Sequence, residues 1–147
     1  MNEKPPYPVL SPAGLLPHRG VMLLLDAVLE LDDNHAITEA VVKTSWPTAK
    51  ATGVSSLLCV ELVAQTIGVY NIWRLMRAHG ENVNKNGWLV AIKKAVFDAD
   101  TLPFDAKLTI RAENDFSFHP FCEATGSVYC RGKLMAEVVA QIYQDEA

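Results

Sequence analysis

The segment from Ser55 to Ala78 reads SSLLCVELVAQTIGVYNIWRLMRA and is the one long helix that the sequence predicts. Either of its first two serines can cap a helix, and the arginines near its end suit the negative C-terminal end of a helix. Apolar side chains between Leu57 and Ile72 occupy every side of such a helix. A helix that is hydrophobic all round must be surrounded by protein, so a sheet curled about it is the expected wrapper in a chain of 147 residues.

Strands are predicted both before and after this helix in the sequence. Apolar, β-branched or alternating side chains mark six of them, at residues 22–31, 35–44, 88–98, 107–114, 123–130 and 133–143. Gly132 supplies the positive φ that a tight hairpin between the last two needs. The pattern predicts a single α+β domain over residues 1–147, with two strands, a buried helix and then a run of antiparallel strands.

The N-terminal residues predict an arm rather than part of the core. Four prolines keep residues 1–12 extended or turning, because proline fixes its own φ and restricts the residue before it. One short helical turn is expected at Ser11–Leu16. No apolar core segment follows Lys4, so no signal peptide is visible and a cytoplasmic location is expected.

Composition narrows the class of function. Half of the residues are hydrophobic and 20% are charged, which excludes a disordered or fibrous chain. The net charge of −4, from 13 basic and 17 acidic residues, argues against a nucleic-acid binder held by phosphate contacts. No two histidines share a metal-ligand spacing, and neither a P-loop nor a dinucleotide-binding motif is present, so neither metal nor cofactor is predicted.

The three cysteines have spacings that match no zinc motif. Cys59 lies in an apolar run and is interpreted as a small buried hydrophobic residue. Cys122 and Cys130 could face each other across a hairpin.

Glu61 is the strongest candidate functional residue. It is the only charged residue between Lys50 and Arg74, in the second turn of an otherwise apolar helix. An ionised carboxylate in such a place costs several kcal/mol unless it is paired, so it is either a general acid or base or one half of a structural pair. The structural alternatives are a salt bridge to Arg19 or Arg111, or exposure at a subunit boundary.

Two neighbouring features of the helix support a catalytic role for Glu61. Gln65 is one turn later and therefore on the same face. The helix start at Ser55–Leu57 has backbone N–H groups that can hold a carbonyl oxygen. Together they suggest a carbonyl held by the helix start with a carboxylate beside it.

The histidines are weaker candidates. His18 follows a proline where a loop leads into a strand, and a hydrogen bond to backbone at this turn is its simplest interpretation. His119 stands among phenylalanines at a strand break, where it could pack or line a pocket.

Two stretches match motifs of a known family. Leu16–Val28, LPHRGVMLLLDAV, resembles the 3-hydroxyacyl-[acyl-carrier-protein] dehydratases of fatty-acid synthesis, in which L-P-H-R leads into an apolar strand with L-L-x-D-x-V. Val60–Gly68, VELVAQTIG, resembles their helix motif, in which an acidic residue precedes M-A-Q. The longer form of this motif, through Trp73, is most similar to the dehydratase-like proteins of aryl polyene gene clusters.

The resemblance implies a hot-dog fold, in which a curved antiparallel sheet wraps the long helix. It also implies a homodimer or heterodimer with the acyl thioester, on acyl carrier protein or coenzyme A, bound between subunits. By the same resemblance Glu61 is the catalytic acid and Gln65 a supporting polar residue at the substrate site. The amides of Ser56 and Leu57 are expected to hold the thioester carbonyl.

One departure from the family bears on activity. Fourteen residues before Glu61, where the family's G-H-F-P-G motif places its catalytic histidine, this sequence has Pro47. Elimination of water from a 3-hydroxyacyl thioester needs one group to take the α-proton and another to protonate the leaving hydroxyl. Three explanations are open. His18, the first choice, or His119 could replace the missing base, or a histidine-bearing hot-dog subunit could supply that base. Alternatively, the chain is a non-catalytic partner subunit. Thioester hydrolysis is a further alternative, because some hot-dog thioesterases use a helix carboxylate without histidine.

Overall fold

The computed structural model describes residues 11–145 and consists of one long helix on a six-stranded antiparallel sheet. The strands are β1 (Ala27–Leu31), β2 (His35–Val41), β3 (Gly53–Ser55), β4 (Gly87–Phe97), β5 (Thr101–Pro103), β6 (Lys107–Phe118), β7 (Phe121–Cys130) and β8 (Lys133–Gln144), and the helices are α1 (Pro12–Leu15) and α2 (Leu58–His79). The large sheet has the order β1-β2-β6-β7-β8-β4, and β3 pairs with β5 separately. The α+β prediction is therefore confirmed.

Some strands begin at a different residue from the predicted one, or were not predicted at all. The first predicted strand begins only at Ala27, because the Leu24 amide donates to the Gln65 side chain of α2 rather than to a neighbouring strand. The strands β3 and β5, three residues each, were not predicted, since segments this short show no periodicity. The predicted arm lies outside the described residues except at its end, where Pro12 already begins α1.

The helix α2 packs closely against one face of the large sheet. A Cβ atom placed on Gly126 of β7 would lie 2.3 Å from Cγ1 of Val63, so only glycine fits opposite this valine. The helix is not surrounded on every side within one chain, because the face that carries Glu61, Ala64 and Gly68 is only partly buried. The predicted all-round burial therefore fails on this one face.

The strand β4 forms an open edge of the large sheet. It carries five large apolar side chains that are 39–54% exposed: Trp88, Leu89, Val90, Ile92 and Val96. An unpaired, apolar edge strand is a ready template for pairing with another chain.

The hairpin between β7 and β8 turns at Arg131-Gly132, both with positive φ, as the glycine predicted. The prediction that Cys122 and Cys130 face each other is wrong, since both lie on β7 near its opposite ends. Cys59 is fully buried, as predicted, and burial raises the pKa of its thiol to about 12.

Candidate active site

The structure brings His18 and Glu61 together although they are far apart in the sequence. Nε2 of His18 lies 3.4 Å from Oε1 of Glu61, and each side chain is about one-third exposed, at 32% and 33%. The Nδ1 atom of His18 is buried and has no hydrogen-bond partner within residues 11–145. The expected hydrogen bond from this histidine to backbone is therefore not found there, and an imidazole faces the carboxylate instead.

Gln65 fixes the position of Glu61. Its side-chain nitrogen donates to Oε1 of Glu61 at 2.9 Å and to the carbonyl of Met22 at 2.7 Å. Its side-chain oxygen accepts from the Leu24 amide at 3.1 Å. Both N–H groups of this buried amide are thus in use, so Gln65 orients the carboxylate and ties the segment after His18 to α2.

The same contacts predict a large stability effect. We expect Gln65→Leu to lower the free energy of unfolding by about 3 kcal/mol, because the Met22 carbonyl and the Leu24 amide each lose their partner. Urea unfolding measures this. Gln141→Leu is the matched control: within residues 11–145 the Gln141 side chain donates to Glu123 alone, at a part-buried site, and we expect a loss of about 0.5 kcal/mol. Equal losses of unfolding free energy in the two variants would contradict the role of Gln65 in holding the backbone at Met22 and Leu24 to α2.

The helix start differs from the sequence expectation. The Ser56 amide donates to the carbonyl of Asp100 at 2.9 Å, and the Leu57 amide to Oγ of Ser55 at 3.2 Å. Neither amide is free to hold a thioester carbonyl, because the loop before β5 and the Ser55 side chain occupy them. Ser56 and Leu57 also line a different cavity from the one that contains Glu61.

The two arginines considered as salt-bridge partners of Glu61 have other partners in the structure. Arg19 donates to the carbonyls of Leu16 and His18, and Arg111 pairs with Glu113, whose hydrogen bond raises the pKa of the guanidinium. Neither arginine therefore pairs with Glu61. The carboxylate has a histidine and an amide as its neighbours, which is a pairing suited to proton transfer.

A cavity of about 190 Å³ adjoins the pair and follows one face of α2. Ala64 and Gly68 lie along its helix side and Ile72 lies further along, about 16 Å from Glu61 at 1.5 Å per residue. A Cβ atom on Gly68 would lie 3.0 Å from Cδ2 of Leu16, so glycine at this position lets the Leu16 side chain approach the helix closely. Sequence reasoning missed Ala64 and Gly68, although their spacing of three and seven from Glu61 is the signal that could have found them.

His119 is not part of this cavity. It lines a separate groove together with Asn71, Arg74 and Cys122, where burial raises the pKa of the Cys122 thiol. The candidate pair is therefore His18 and Glu61.

Comparison with known proteins identifies the family. A model of the ApeP dehydratase family matches residues 10–147. The chain belongs to the ApeP-like dehydratase family. This family match supports a dehydratase-like function and places the chain with lyase-type enzymes. It also confirms the resemblance seen in the two motifs. No curated protein matches the sequence significantly.

Solved structures confirm the hot-dog fold. The dehydratase heterocomplex ApeI:P from Xenorhabdus doucetiae matches with a TM-score of 0.82 and 21% identity, over 95% of this chain and 93% of that one. A hypothetical thioesterase with coenzyme A from Streptococcus pneumoniae matches at 0.61 and 12% identity, over 81% and 84%. Thioesterase superfamily member 2 from Mus musculus matches at 0.61 and 14%, over 81% of each chain.

Residues 11–145 lack two further features, a membrane-spanning helix and a metal-binding cluster. No helix in this part of the chain is long and apolar enough to span a membrane. No group of three or more His, Cys, Asp or Glu side chains there is placed to hold a metal ion.

Proposed function

We propose that this ApeP-like protein removes water from a 3-hydroxyacyl thioester carried on acyl carrier protein or coenzyme A, with His18 and Glu61 as the acid–base pair. The observation that carries this proposal is the 3.4 Å approach of the imidazole to the carboxylate beside a groove. Proton-transfer contacts are often this long before substrate binds.

The proposed reaction needs one proton to leave the substrate and another to enter it. Nε2 of His18 takes the α-proton, the electron pair of that C–H bond forms the new double bond, and the bond from the β-carbon to the hydroxyl breaks. The protonated Glu61 gives its proton to the departing hydroxyl, which leaves as water. The product is a 2-enoyl thioester, and proton transfer from His18 back to Glu61 restores the pair.

Gln65 acts in this proposal as a positioning residue. Its hydrogen bond to Oε1 of Glu61 restricts rotation of the carboxyl group. The same amide holds the backbone at Met22 and Leu24, and so fixes the segment that carries His18. One side chain therefore sets the positions of both the base and the acid.

The role of His18 is tested by comparing the activity of two variants, one at His18 and one at His119. We expect His18→Asn to lower kcat/KM for dehydration by about 10²- to 10³-fold, because the α-proton loses its acceptor. His119→Asn is the control, since His119 lines a different groove, and we expect it to change kcat/KM by less than about twofold. A loss in His119→Asn with full activity in His18→Asn would assign the base to His119 instead.

A site-sharing partner subunit is the second candidate function. The open, apolar β4 edge supports it, as does the likeness to a chain of a dehydratase heterocomplex. In that arrangement Glu61 works with a histidine from another hot-dog subunit. The purified chain is assayed alone and then mixed with a histidine-bearing hot-dog subunit: activity only in the mixture supports sharing, whereas full activity alone excludes it.

Thioester hydrolysis is distinguished by its product. Dehydration leaves the thioester intact, whereas hydrolysis releases a free thiol from an acyl-coenzyme A. Thiol release that matches substrate consumption would replace the dehydratase proposal with the thioesterase one.

A further inference from the structure

One face of α2 is less deeply buried than the rest of the helix. Between Glu61 and Trp73 every residue is buried except those that follow Glu61 at steps of three and four. Residues at these steps share one side of a helix. The same steps continue to Ala78, about 25 Å from Glu61 at 1.5 Å per residue. We call this side of α2 the groove face; its members are Glu61, Ala64, Gly68, Asn71, Leu75 and Ala78.

Two cavities lie end to end along the groove face. The cavity of about 190 Å³ beside Glu61 is lined by Ala64 and Gly68 from this face. A second cavity, of about 260 Å³, is lined by the next three members, Asn71, Leu75 and Ala78. The second cavity therefore continues the first along about two more turns of the same helix.

Gln144, the last residue of β8, separates the two cavities. Of the described residues that line them, it is the one that belongs to both. It is 7% exposed, and its side-chain nitrogen donates to the carbonyl of Asn86 at 2.9 Å. Gly87 makes room for this side chain, since a Cβ atom there would lie 2.8 Å from Oε1 of Gln144. The segment that leads into β4 thus holds the glutamine in place between the cavities.

The cavity beside Glu61 suits the apolar part of a substrate. Most of its other wall residues are apolar, among them Leu16, Ile72, Trp88, Leu89 and Ile142. Burial of an acyl chain against such walls is favourable, because it removes apolar surface from water. With His18 and Glu61 at one end, the chain extends from the reacting carbons toward Gln144.

We propose that Gln144 determines the length of the acyl chain, because it ends the groove and keeps the second cavity outside the acyl site. This inference rests on the proposed dehydration, which places the reacting carbons beside His18 and Glu61. A chain that reaches Gln144 meets a buried amide, and further entry would break its hydrogen bond to Asn86. Chains that end before Gln144 are therefore accepted, and longer ones are rejected.

Chain-length profiles of kcat/KM test the role of Gln144, with coenzyme A thioesters from 3-hydroxyhexanoyl to 3-hydroxyhexadecanoyl. We expect Gln144→Ala to raise kcat/KM for the longest chain about tenfold or more relative to the shortest, because alanine joins the two cavities. The preferred chain grows by about four carbons, since the step from Ile72 to Leu75 is about 4.5 Å and three bonds of an extended chain span about 3.8 Å.

Gln141→Ala is the matched control. It is the same substitution on the same strand, and Gln141 is not among the residues that line either cavity. We expect this variant to keep the chain-length profile of the wild-type protein. The same lengthening in both variants would contradict the proposal.

A second substitution shows where the longer chain goes. Leu75→Trp in the Gln144→Ala background fills the second cavity with a larger side chain, and we expect it to restore the wild-type chain-length preference. A variant whose fold is merely loosened loses kcat/KM for all chains alike. A uniform loss in Gln144→Ala, with no return of preference in the double variant, would overturn the proposal.

Binding measurements separate this proposal from the proposed reaction. Saturated acyl-coenzyme A thioesters have no 3-hydroxyl group to lose, and the fluorescence of Trp88 in the cavity wall reports on their binding, since Trp46 and Trp73 are only 4% and 9% exposed. Binding of longer chains by Gln144→Ala, without turnover in any variant, would exclude the dehydratase and keep the role of Gln144. Dehydration with one chain-length profile in the wild-type protein and Gln144→Ala would overturn the role of Gln144 alone. Neither binding nor turnover of any chain would overturn both.

Discussion

Glu61→Gln is expected to lower kcat for dehydration of a 3-hydroxyacyl thioester about 10³-fold, while the free energy of unfolding changes by less than about 0.5 kcal/mol. The carboxamide retains an oxygen that accepts the hydrogen bond from Gln65, so the local structure is kept. It has no acidic proton for the departing hydroxyl. The measurement is steady-state formation of the enoyl thioester, with urea unfolding of the same protein.

A matched control separates this loss from a general effect of charge. Glu137 pairs with Lys94 at 2.9 Å on the sheet, and it is not among the residues that line the cavity beside Glu61. We expect Glu137→Gln to retain full activity. Unchanged turnover in Glu61→Gln would exclude the catalytic acid, and only the fold assignment would stand.

Gly126→Ala is expected to destabilise the protein by about 3 kcal/mol. The added methyl group would lie 2.3 Å and 2.6 Å from the two γ-carbons of Val63, and 2.9 Å from its Cβ. Val63 is fully buried and branched at Cβ, so it has little freedom to move away. The helix or β7 must therefore shift, and urea or thermal unfolding measures the cost.

A double variant tests the stated cause. Val63→Ala removes both γ-carbons and by itself leaves a cavity, but in the Gly126→Ala background it also relieves the overlap. We expect the double variant to be more stable than the sum of the two single losses predicts, by about 1 kcal/mol or more. Additive losses would show that the glycine is needed for another reason.

The fold was largely predictable because its signals are local. The apolar run from Leu57 to Ile72 indicated a helix packed against a sheet, which holds on every face except the one with Glu61, Ala64 and Gly68, and alternation in 107–114 and 133–143 indicated half-buried strands. The short strands β3 and β5 were not predictable, since three residues carry no period.

The candidate site was predictable in part. Glu61 stood out as a lone charge in an apolar helix, and Gln65 followed from helical spacing. The availability of the Ser56 and Leu57 amides was wrongly inferred, because one of their acceptors, the Asp100 carbonyl, comes from a segment more than forty residues later in the chain. The cavity along Ala64 and Gly68 likewise depends on what packs opposite the helix.

The helix, the long strands and a carboxylate in apolar surroundings can be inferred from the amino-acid sequence, because side-chain periodicity and the cost of an isolated charge involve residues that are near neighbours in the chain. The group that lies opposite this carboxylate is set by the folded chain. His18 reaches Glu61 because one buried amide, Gln65, binds both the carboxylate and the backbone that follows the histidine. A contact between distant segments depends on how the whole chain closes, and no local pattern encodes it.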